Sequence, residues 1–185
     1  MRQPLFNIHR VTGPYRRAWN ELRAWGPVAS SRWDPHEEPA STQPDRAVLY
    51  AATTFTTSVS EVFQDRRAIP LDPGYSVASW EPTRALDVLD LTAGWPVRNG
   101  ASASLHAAGK STCRAWSRAI CTMWPDLDGL LVASTMTGNP NVALYPPSAD
   151  AFPAAPAVSR RLNDRALAPL LLLASRELGW GIREP

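Results

Sequence analysis

Lysine, cysteine and long apolar runs are all scarce in this sequence of 185 residues. Lys110 is the only lysine, so arginine supplies nearly all the positive charge, and the net charge is only +2. That balance is too even to indicate a nucleic-acid-binding protein, and we expect no direct contact with nucleic acid. The longest apolar run, Leu170 to Ala174, is far too short to cross a bilayer. No apolar run follows Arg2, which argues against a signal peptide, and we expect no association with a membrane.

The spacing of the cysteines and histidines argues against a disulfide within a helix and against a metal site. Cys113 and Cys121 fall two turns apart in a predicted helix, which is too far for a disulfide within it. They also lack the spacing of metal ligands, and so do His9, His36 and His106. We therefore expect no metal site, and satisfied or exposed histidines. A reducing cytoplasm fits this composition, as does any compartment without a disulfide requirement, and we place the protein in the cytoplasm.

What the chain does contain is enough apolar material for a core. Hydrophobic residues make up 44% of it, which favours a globular fold over disorder. We find no internal repeat and no clear boundary, so we predict one domain over residues 1–185.

Short strands and unevenly placed helices predict an α+β fold rather than a regular βαβ repeat. The predicted helices start near Tyr15, Thr54, Ser111 and Pro169, and the last one ends near Gly179. About six short segments have the apolar or alternating character of strands. They are Ile8–Val11, Ala47–Ala52, Tyr75–Trp80, Leu86–Leu91, Gly129–Ser134 and Val142–Tyr145.

The first of these helices rests on the helical spacing of Tyr15, Trp19 and Leu22, with Gly26 as a plausible residue just beyond its end. The alternative is an irregular segment that docks its tryptophans onto the core. Between Trp95 and Ala108 the sequence is small and polar, which predicts a loop.

Two familiar catalytic motifs are incomplete. Gly109-Lys110-Ser111 resembles the end of a phosphate-binding P-loop, but Ser104 stands where that loop needs its first glycine. No nucleophile elbow surrounds Ser134. We therefore predict a loop leading into a capped helix at the first position, and a strand-end serine that caps a turn at the second.

Three side chains between residues 32 and 61 suit the binding of a nucleotide. Arg32 lies in an Arg-Trp-Asp-Pro turn and offers a planar fork of donors for phosphate. Tyr50 lies in a short apolar strand and offers a flat ring with a polar tip. Glu61 lies in the following helix, where a carboxylate can stabilise positive charge developing on a sugar. Periodicity alone places Glu61 off the apolar face of that helix, which predicts a solvated residue.

Four segments, in order and at the expected spacing, resemble the RES-domain family, which is named for an arginine, a glutamate and a serine. Arg32–Pro35 is similar to the family's Arg-Phe-Asp-Pro turn, and Leu49–Ala52 is similar to its tyrosine-bearing strand. Ser60–Val62 is similar to its glutamate helix. Asp128–Ser134, followed by Val142–Tyr145, is similar to its serine-bearing ending. The resemblance covers most of the chain.

The resemblance implies a fold similar to that of ADP-ribosyltransferases, with a split mixed sheet and surrounding helices. It further implies a toxin of a bacterial toxin–antitoxin pair whose partner is an antitoxin with a helix-turn-helix domain of the Xre type. Such toxins degrade NAD+ by cleaving the nicotinamide–ribose bond, through hydrolysis or phosphorolysis. NAD+ is then a substrate, and no cofactor is required.

The resemblance also assigns roles to four residues. Arg32 binds the diphosphate, Tyr50 lines or stacks on the nicotinamide pocket, Glu61 stabilises the oxocarbenium-like transition state, and Ser134 orients the glutamate or the substrate. Each has a plain structural alternative. Arg32 could be a surface arginine that pairs with Asp34 or Asp45, Tyr50 could belong to the core, and Ser134 could simply end a strand.

Two other functions fit the same sequence. One is an ADP-ribosyltransferase that modifies a protein or nucleic acid, and the other is a catalytically silent module that binds a partner protein. The fate of NAD+ in the presence of the protein distinguishes all three.

Overall fold

A computed structural model describes residues 1–184, in which eleven strands and four α-helices alternate with short 3-10 turns. The strands are β1 (Leu5–Arg10), β2 (Trp25–Gly26), β3 (Ser41–Thr42), β4 (Leu49–Ala52), β5 (Ala68–Pro70), β6 (Tyr75–Trp80), β7 (Val88–Asp90), β8 (Gly129–Ala133), β9 (Pro140–Leu144), β10 (Val158–Arg161) and β11 (Gly181–Arg183). The helices are α1 (Phe55–Phe63), α2 (Trp95–Arg98), α3 (Lys110–Met123) and α4 (Ala168–Leu178). No helix among these residues combines the length and apolar character that a membrane span needs.

Seven of the strands form one mixed sheet in the order β10-β6-β1-β4-β9-β8-β7. Its neighbours pair antiparallel except β7 and β8, which pair in parallel. The pairs β5–β11 and β2–β3 form two small ribbons. The predicted α+β class is confirmed, and all six predicted strands lie in the main sheet. Five strands were not predicted. One is β10, whose four residues are all exposed and show no apolar alternation, and the others are the ribbon strands of two or three residues each.

The main sheet is split between β1 and β4. These strands share a single residue pair, Phe6 with Ala52, whereas β1 pairs with β6 along its whole length. Beyond that pair the strands part, and Val48 exchanges both backbone hydrogen bonds with Arg23 instead, at 2.9 and 3.0 Å. The side chain of Asn7 bridges the gap by donating to the Tyr50 carbonyl at 2.8 Å. The predicted division of the sheet is therefore present, and a cleft can open between its halves.

Helices cover one face of the sheet and irregular segments cover the other. On the helical face, α1 and α4 pack over Ile8 and its neighbours, and α3 packs over β4, β8 and β9. On the other face, Trp19 packs against Trp80 and Phe152, with ring centroids 5.3 and 5.6 Å apart.

The helix predicted from Tyr15 to Ala24 is therefore wrong, and the alternative of a docked irregular segment is correct. Tyr15 is 77% exposed, so the three apolar side chains do not form one buried stripe. Trp19 and Leu22 instead gain their burial from the face of the sheet.

The structure confirms some of the predicted helix ends and differs from others. Thr54 caps α1 as expected, because its hydroxyl accepts from the Thr57 N–H at 3.1 Å. Gly179 ends α4 in the left-handed region, with φ of 66°. Ser111 does not cap α3, which begins at Lys110 behind Gly109. The segment predicted as a loop from Trp95 contains the short helix α2 and a 3-10 turn.

A buried carboxylate fixes the turn that carries Arg32. Asp34 is fully buried and accepts hydrogen bonds from Arg23 Nη2 and from the Val28 N–H, both at 2.8 Å, and from the ring of His36. Burial alone would raise the pKa of Asp34. The hydrogen bonds from His36 and Val28, with the charge of Arg23, outweigh it and lower the pKa from 3.8 to about 2. The ionised form of Asp34 therefore stabilises this turn.

We expect Asp34→Asn to lower the free energy of unfolding by about 2 kcal/mol at pH 7. Because the folded-state pKa lies below the unfolded one, this stability is complete above pH 4 and disappears as the pH falls towards 2. Urea unfolding at pH 7 and pH 3 measures both effects. The exposed carboxylate of Asp45 provides a control, and Asp45→Asn is expected to change little. An equal loss from both substitutions at pH 7 would contradict the role of Asp34.

Candidate active site

A cleft of about 380 Å³ opens where β1 and β4 part. Strands β1, β4 and β8 form its walls, together with α1 and the segments that precede β2 and β4. Arg32, Tyr50 and Glu61 all line it. Ser134 lies directly behind Glu61 and hydrogen bonds to it. The fold thus brings together the four residues that the sequence nominated, although they come from a turn, a strand, a helix and a strand end.

Ser134 holds the carboxylate of Glu61. Its Oγ donates to Glu61 Oε1 at 2.6 Å, and it accepts from the N–H groups of Met136 and Thr137 at 3.1 and 3.2 Å. The hydroxyl therefore caps the turn after β8, as the structural alternative held, and also orients the glutamate. Because its one proton and its lone pairs are all engaged, Ser134 is arranged as a positioning residue rather than a nucleophile.

The hydroxyl of Thr57 further ties α1 to the same turn. It accepts from Thr54 Oγ1 at 2.8 Å and lies 3.0 Å from Thr137 Oγ1. Asn139 Nδ2 also approaches it, at 3.4 Å. Helix and turn thus form one hydrogen-bonded unit, so the position of the Glu61 carboxylate is fixed before any ligand arrives.

Glu61 is half-buried in the cleft wall, although helical periodicity predicted a solvated position. The neighbouring Val62, although apolar, is 41% exposed. The discrepancy arises because α1 is buried nearly all round, with Ser58 and Ser60 inside as well as Phe55 and Val59. Because the helix has no clear polar face, the spacing of its apolar residues does not predict whether a given residue is buried or exposed. Within residues 1–184, Glu61 has no ion pair to neutralise it.

Arg32 presents an unneutralised guanidinium to the cleft. Its Nη1 donates to the carbonyl of Ala108 and lies 3.8 Å from Cys113 Sγ. None of the carboxylates in residues 1–184 lies within 4 Å of it, so the suggested pairing with a surface carboxylate is wrong. Asp34 pairs with Arg23 instead. One edge of the Arg32 fork is thus anchored, and the remaining N–H groups are free for an anion.

Tyr50 serves both the cleft and the core. Its ring packs beside the cluster around Trp33 and also lines the cleft. Burial, and then the negative charge of Asp34, raise the pKa of the phenol, so the hydroxyl stays protonated. Ser31 and the Trp33 backbone lie near that hydroxyl, but neither meets it with hydrogen-bond geometry. The phenol is therefore a donor that lacks an acceptor.

Unsatisfied polar atoms are concentrated in this cleft. Within the described chain, four buried side-chain N or O atoms lack a hydrogen-bond partner: Asn7 Oδ1, His9 Nδ1, Tyr50 OH and Asn141 Oδ1. All four belong to residues that line the cleft. Because buried polar atoms are normally paired, their concentration here indicates a surface that a polar ligand completes.

Sequence reasoning missed three of those four residues. His9 was expected to be satisfied or exposed, yet it is half-buried with one ring nitrogen unpaired. Burial, and then the charge of Arg17, lower its pKa, so the imidazole is neutral at pH 7. His36 meets the expectation, since both of its ring nitrogens are hydrogen bonded. The polar alternation of Asn7 and His9 along β1 was the available signal, but nothing in the sequence showed that β1 borders a gap.

The described residues contain no group of three His, Cys, Asp or Glu side chains placed to hold a metal ion.

Comparison with known proteins agrees with this geometry. No curated protein sequence matches the chain. Among solved structures, it is similar to a chain of the crystal structure of the M. tuberculosis MbcT–MbcA toxin–antitoxin complex, with a TM-score of 0.60 and 17% identity. The match covers 97% of this chain and 90% of that chain, and it establishes a shared fold. The model of the RES domain matches residues 7–165, a span that includes Arg32, Tyr50, Glu61 and Ser134. The chain belongs to the RES-domain family.

Proposed function

We propose that this protein is the toxin of a bacterial toxin–antitoxin pair and that it breaks the nicotinamide–ribose bond of NAD+. One observation carries the proposal. The Glu61 carboxylate has no counter-ion among residues 1–184 and is held by Ser134 in the same cleft as the unneutralised guanidinium of Arg32. A dinucleotide with a cationic nicotinamide and an anionic diphosphate supplies the missing charge to both.

Binding would begin with the diphosphate. The free N–H groups of Arg32 can make paired, charge-assisted hydrogen bonds to its oxygens, while the Ala108 carbonyl keeps the guanidinium in place. The ring of Tyr50 offers a face for the nicotinamide or its ribose. A cleft of about 380 Å³ lies within the range of small-molecule sites.

The chemical step needs a negative charge more than it needs an acid. As the bond between the anomeric carbon and the pyridinium nitrogen lengthens, its electron pair leaves with the nitrogen. Nicotinamide departs neutral, so no proton donor is required, and the ribose becomes oxocarbenium-like. Glu61 stabilises that charge, and it does so without reorganising because Ser134 already orients it.

Either water or inorganic phosphate can then attack the anomeric carbon. Water gives ADP-ribose and releases a proton, and phosphate gives the phosphorylated sugar. The two alternative functions would give different products from NAD+. A true ADP-ribosyltransferase transfers label from NAD+ to a macromolecule, and a binding module leaves NAD+ intact. Product analysis after incubation of the purified protein with labelled NAD+ separates these cases.

The partner in this proposal is an antitoxin with a helix-turn-helix domain. Its basis is the family together with the fold shared with a chain of a toxin–antitoxin complex. An antitoxin that covers the cleft around Arg32 and Glu61 would prevent NAD+ from entering. That is the most direct way to silence an enzyme whose catalytic groups are already in place.

We expect Arg32→Ala to weaken the capture of NAD+. The loss of a charge-assisted contact to phosphate costs about 1.5–3 kcal/mol, so kcat/KM should fall roughly ten- to a hundredfold. NAD+ consumption at substrate concentrations well below saturation measures this. Arg98→Ala removes an exposed arginine outside the cleft and serves as the control. Unchanged consumption in Arg32→Ala would remove Arg32 from the site.

Glu61→Gln should leave the fold intact and lower turnover by about a hundredfold or more, the scale of about 3 kcal/mol for a lost electrostatic stabiliser. The amide keeps the shape of the side chain and removes the charge. Thermal melting and turnover are measured on one preparation, beside Glu177→Gln on the exposed side of α4. A folded Glu61→Gln protein with wild-type turnover would refute the mechanism.

Expression in bacteria should arrest growth as cellular NAD+ falls, whereas expression of Glu61→Gln should not. Co-expression of the cognate helix-turn-helix antitoxin should restore growth. Growth and NAD+ content are followed in the same cultures. Arrest without a fall in NAD+ would contradict the proposed activity.

A further inference from the structure

The cleft draws its walls from both faces of the sheet. Side chains alternate along β1, and Ile8 packs with α1 on the helical face. Asn7 and His9 therefore belong to the opposite face, which Leu5 shares with Trp80. Both nevertheless line the same cleft as Glu61. The cleft thus reaches through the split between β1 and β4 and has a second end away from the catalytic glutamate.

Arg17 provides a positive charge at this second end. Its backbone N–H donates to the Arg10 carbonyl at 3.0 Å, which fixes the residue beside the end of β1, and its side chain lines the cleft. The guanidinium of Arg17 is half-buried and makes no ion pair or hydrogen bond within residues 1–184. The N–H groups of Arg17 are therefore available to an anion that enters the cleft.

The charged neighbours of Arg17 do not supply that anion. Arg23 is positive and is itself paired with Asp34. The carboxylate of Glu21 interacts electrostatically with Arg17 but lies beyond ion-pair distance. It accepts a hydrogen bond from the Ala18 N–H at 3.0 Å. Burial, and then the charge of Arg23, lower the pKa of Arg17, which agrees with a guanidinium whose charge is not fully compensated.

Two unsatisfied atoms complete the surface beside Arg17. Asn7 uses its amide nitrogen to bind the Tyr50 carbonyl, which leaves its oxygen as a fixed acceptor. His9 leaves Nδ1 free, as a donor or an acceptor according to its tautomer. A cation, a ring nitrogen and an acceptor together suit a phosphate group with a neighbouring hydroxyl, since the phosphate meets the cation and the hydroxyl meets the amide oxygen.

We propose that Asn7, His9 and Arg17 form a second phosphate-binding subsite at the end of the cleft away from Glu61. The subsite follows from these residues alone. Its use for a phosphate of the dinucleotide, or for a separate phosphate ion bound with it, rests on the proposed cleavage of NAD+.

Calorimetric titration of inorganic phosphate tests the subsite without reference to catalysis. Arg17→Ala should weaken phosphate binding at least about tenfold, the scale of one lost charge-assisted contact. Arg16→Ala removes the same charge from the adjacent, exposed residue and should bind phosphate as the wild type does. Should Arg17→Ala melt early, His9→Ala provides a second test, with weaker binding again expected.

A parallel titration with NAD+ identifies the source of the phosphate. It uses proteins that carry Glu61→Gln, so that the substrate survives. If NAD+ displaces phosphate, the subsite holds a phosphate of the dinucleotide, and if both bind at once, it holds a separate ion; either result supports the subsite.

Two results would overturn it: equal phosphate affinity in Arg17→Ala and Arg16→Ala, or no phosphate binding by the wild type. Failure of the proposed function would give a different result: NAD+ would stay intact, while Arg17→Ala would still bind inorganic phosphate more weakly than Arg16→Ala.

Discussion

The hydrogen bond from Ser134 to Glu61 spans the split on which the architecture depends. Ser134 directly follows β8 in one half of the sheet, while Glu61 belongs to α1, which packs over β1 in the other. Each half alone would present an incomplete site: one a capped turn, the other a carboxylate on a buried helix. Where a continuous sheet would join its halves by a backbone ladder, this sheet uses one residue pair and a few side chains. The candidate site is thereby placed where the two halves of the sheet meet.

Opening a sheet has a cost, because the strands that part leave backbone groups without partners. Nearby groups replace the lost hydrogen bonds. The Arg23 backbone pairs with Val48 in place of β1, and the Asn7 side chain donates to the Tyr50 carbonyl. Both substitutes also serve the cleft, since Arg23 binds the carboxylate of Asp34 behind the Arg32 turn and Asn7 keeps an acceptor free. Residues that restore hydrogen bonds at the split thus also support the cleft.

Those double roles explain what the sequence could and could not predict. Apolar runs located six of the seven strands, and motif resemblance selected Arg32, Tyr50, Glu61 and Ser134. Periodicity failed for Glu61 because α1 is buried on almost every side. It also misassigned the segment around Trp19, whose apolar residues pack on a sheet face that is not local in sequence. His9 and Arg17 were not nominated at all, since only the tertiary gap gives them a shared surface.

The one strand of the main sheet that was not predicted, β10, affects how copies of the molecule can associate. β10 forms one outer edge of the main sheet, and such an edge offers unpaired backbone groups to any neighbouring strand. Its last two residues are Arg160 and Arg161, and all four of its residues are exposed. The opposite edge, β7, has only three residues and ends at Asp90. Charge at one edge and brevity at the other therefore discourage edge-to-edge association between copies of this sheet.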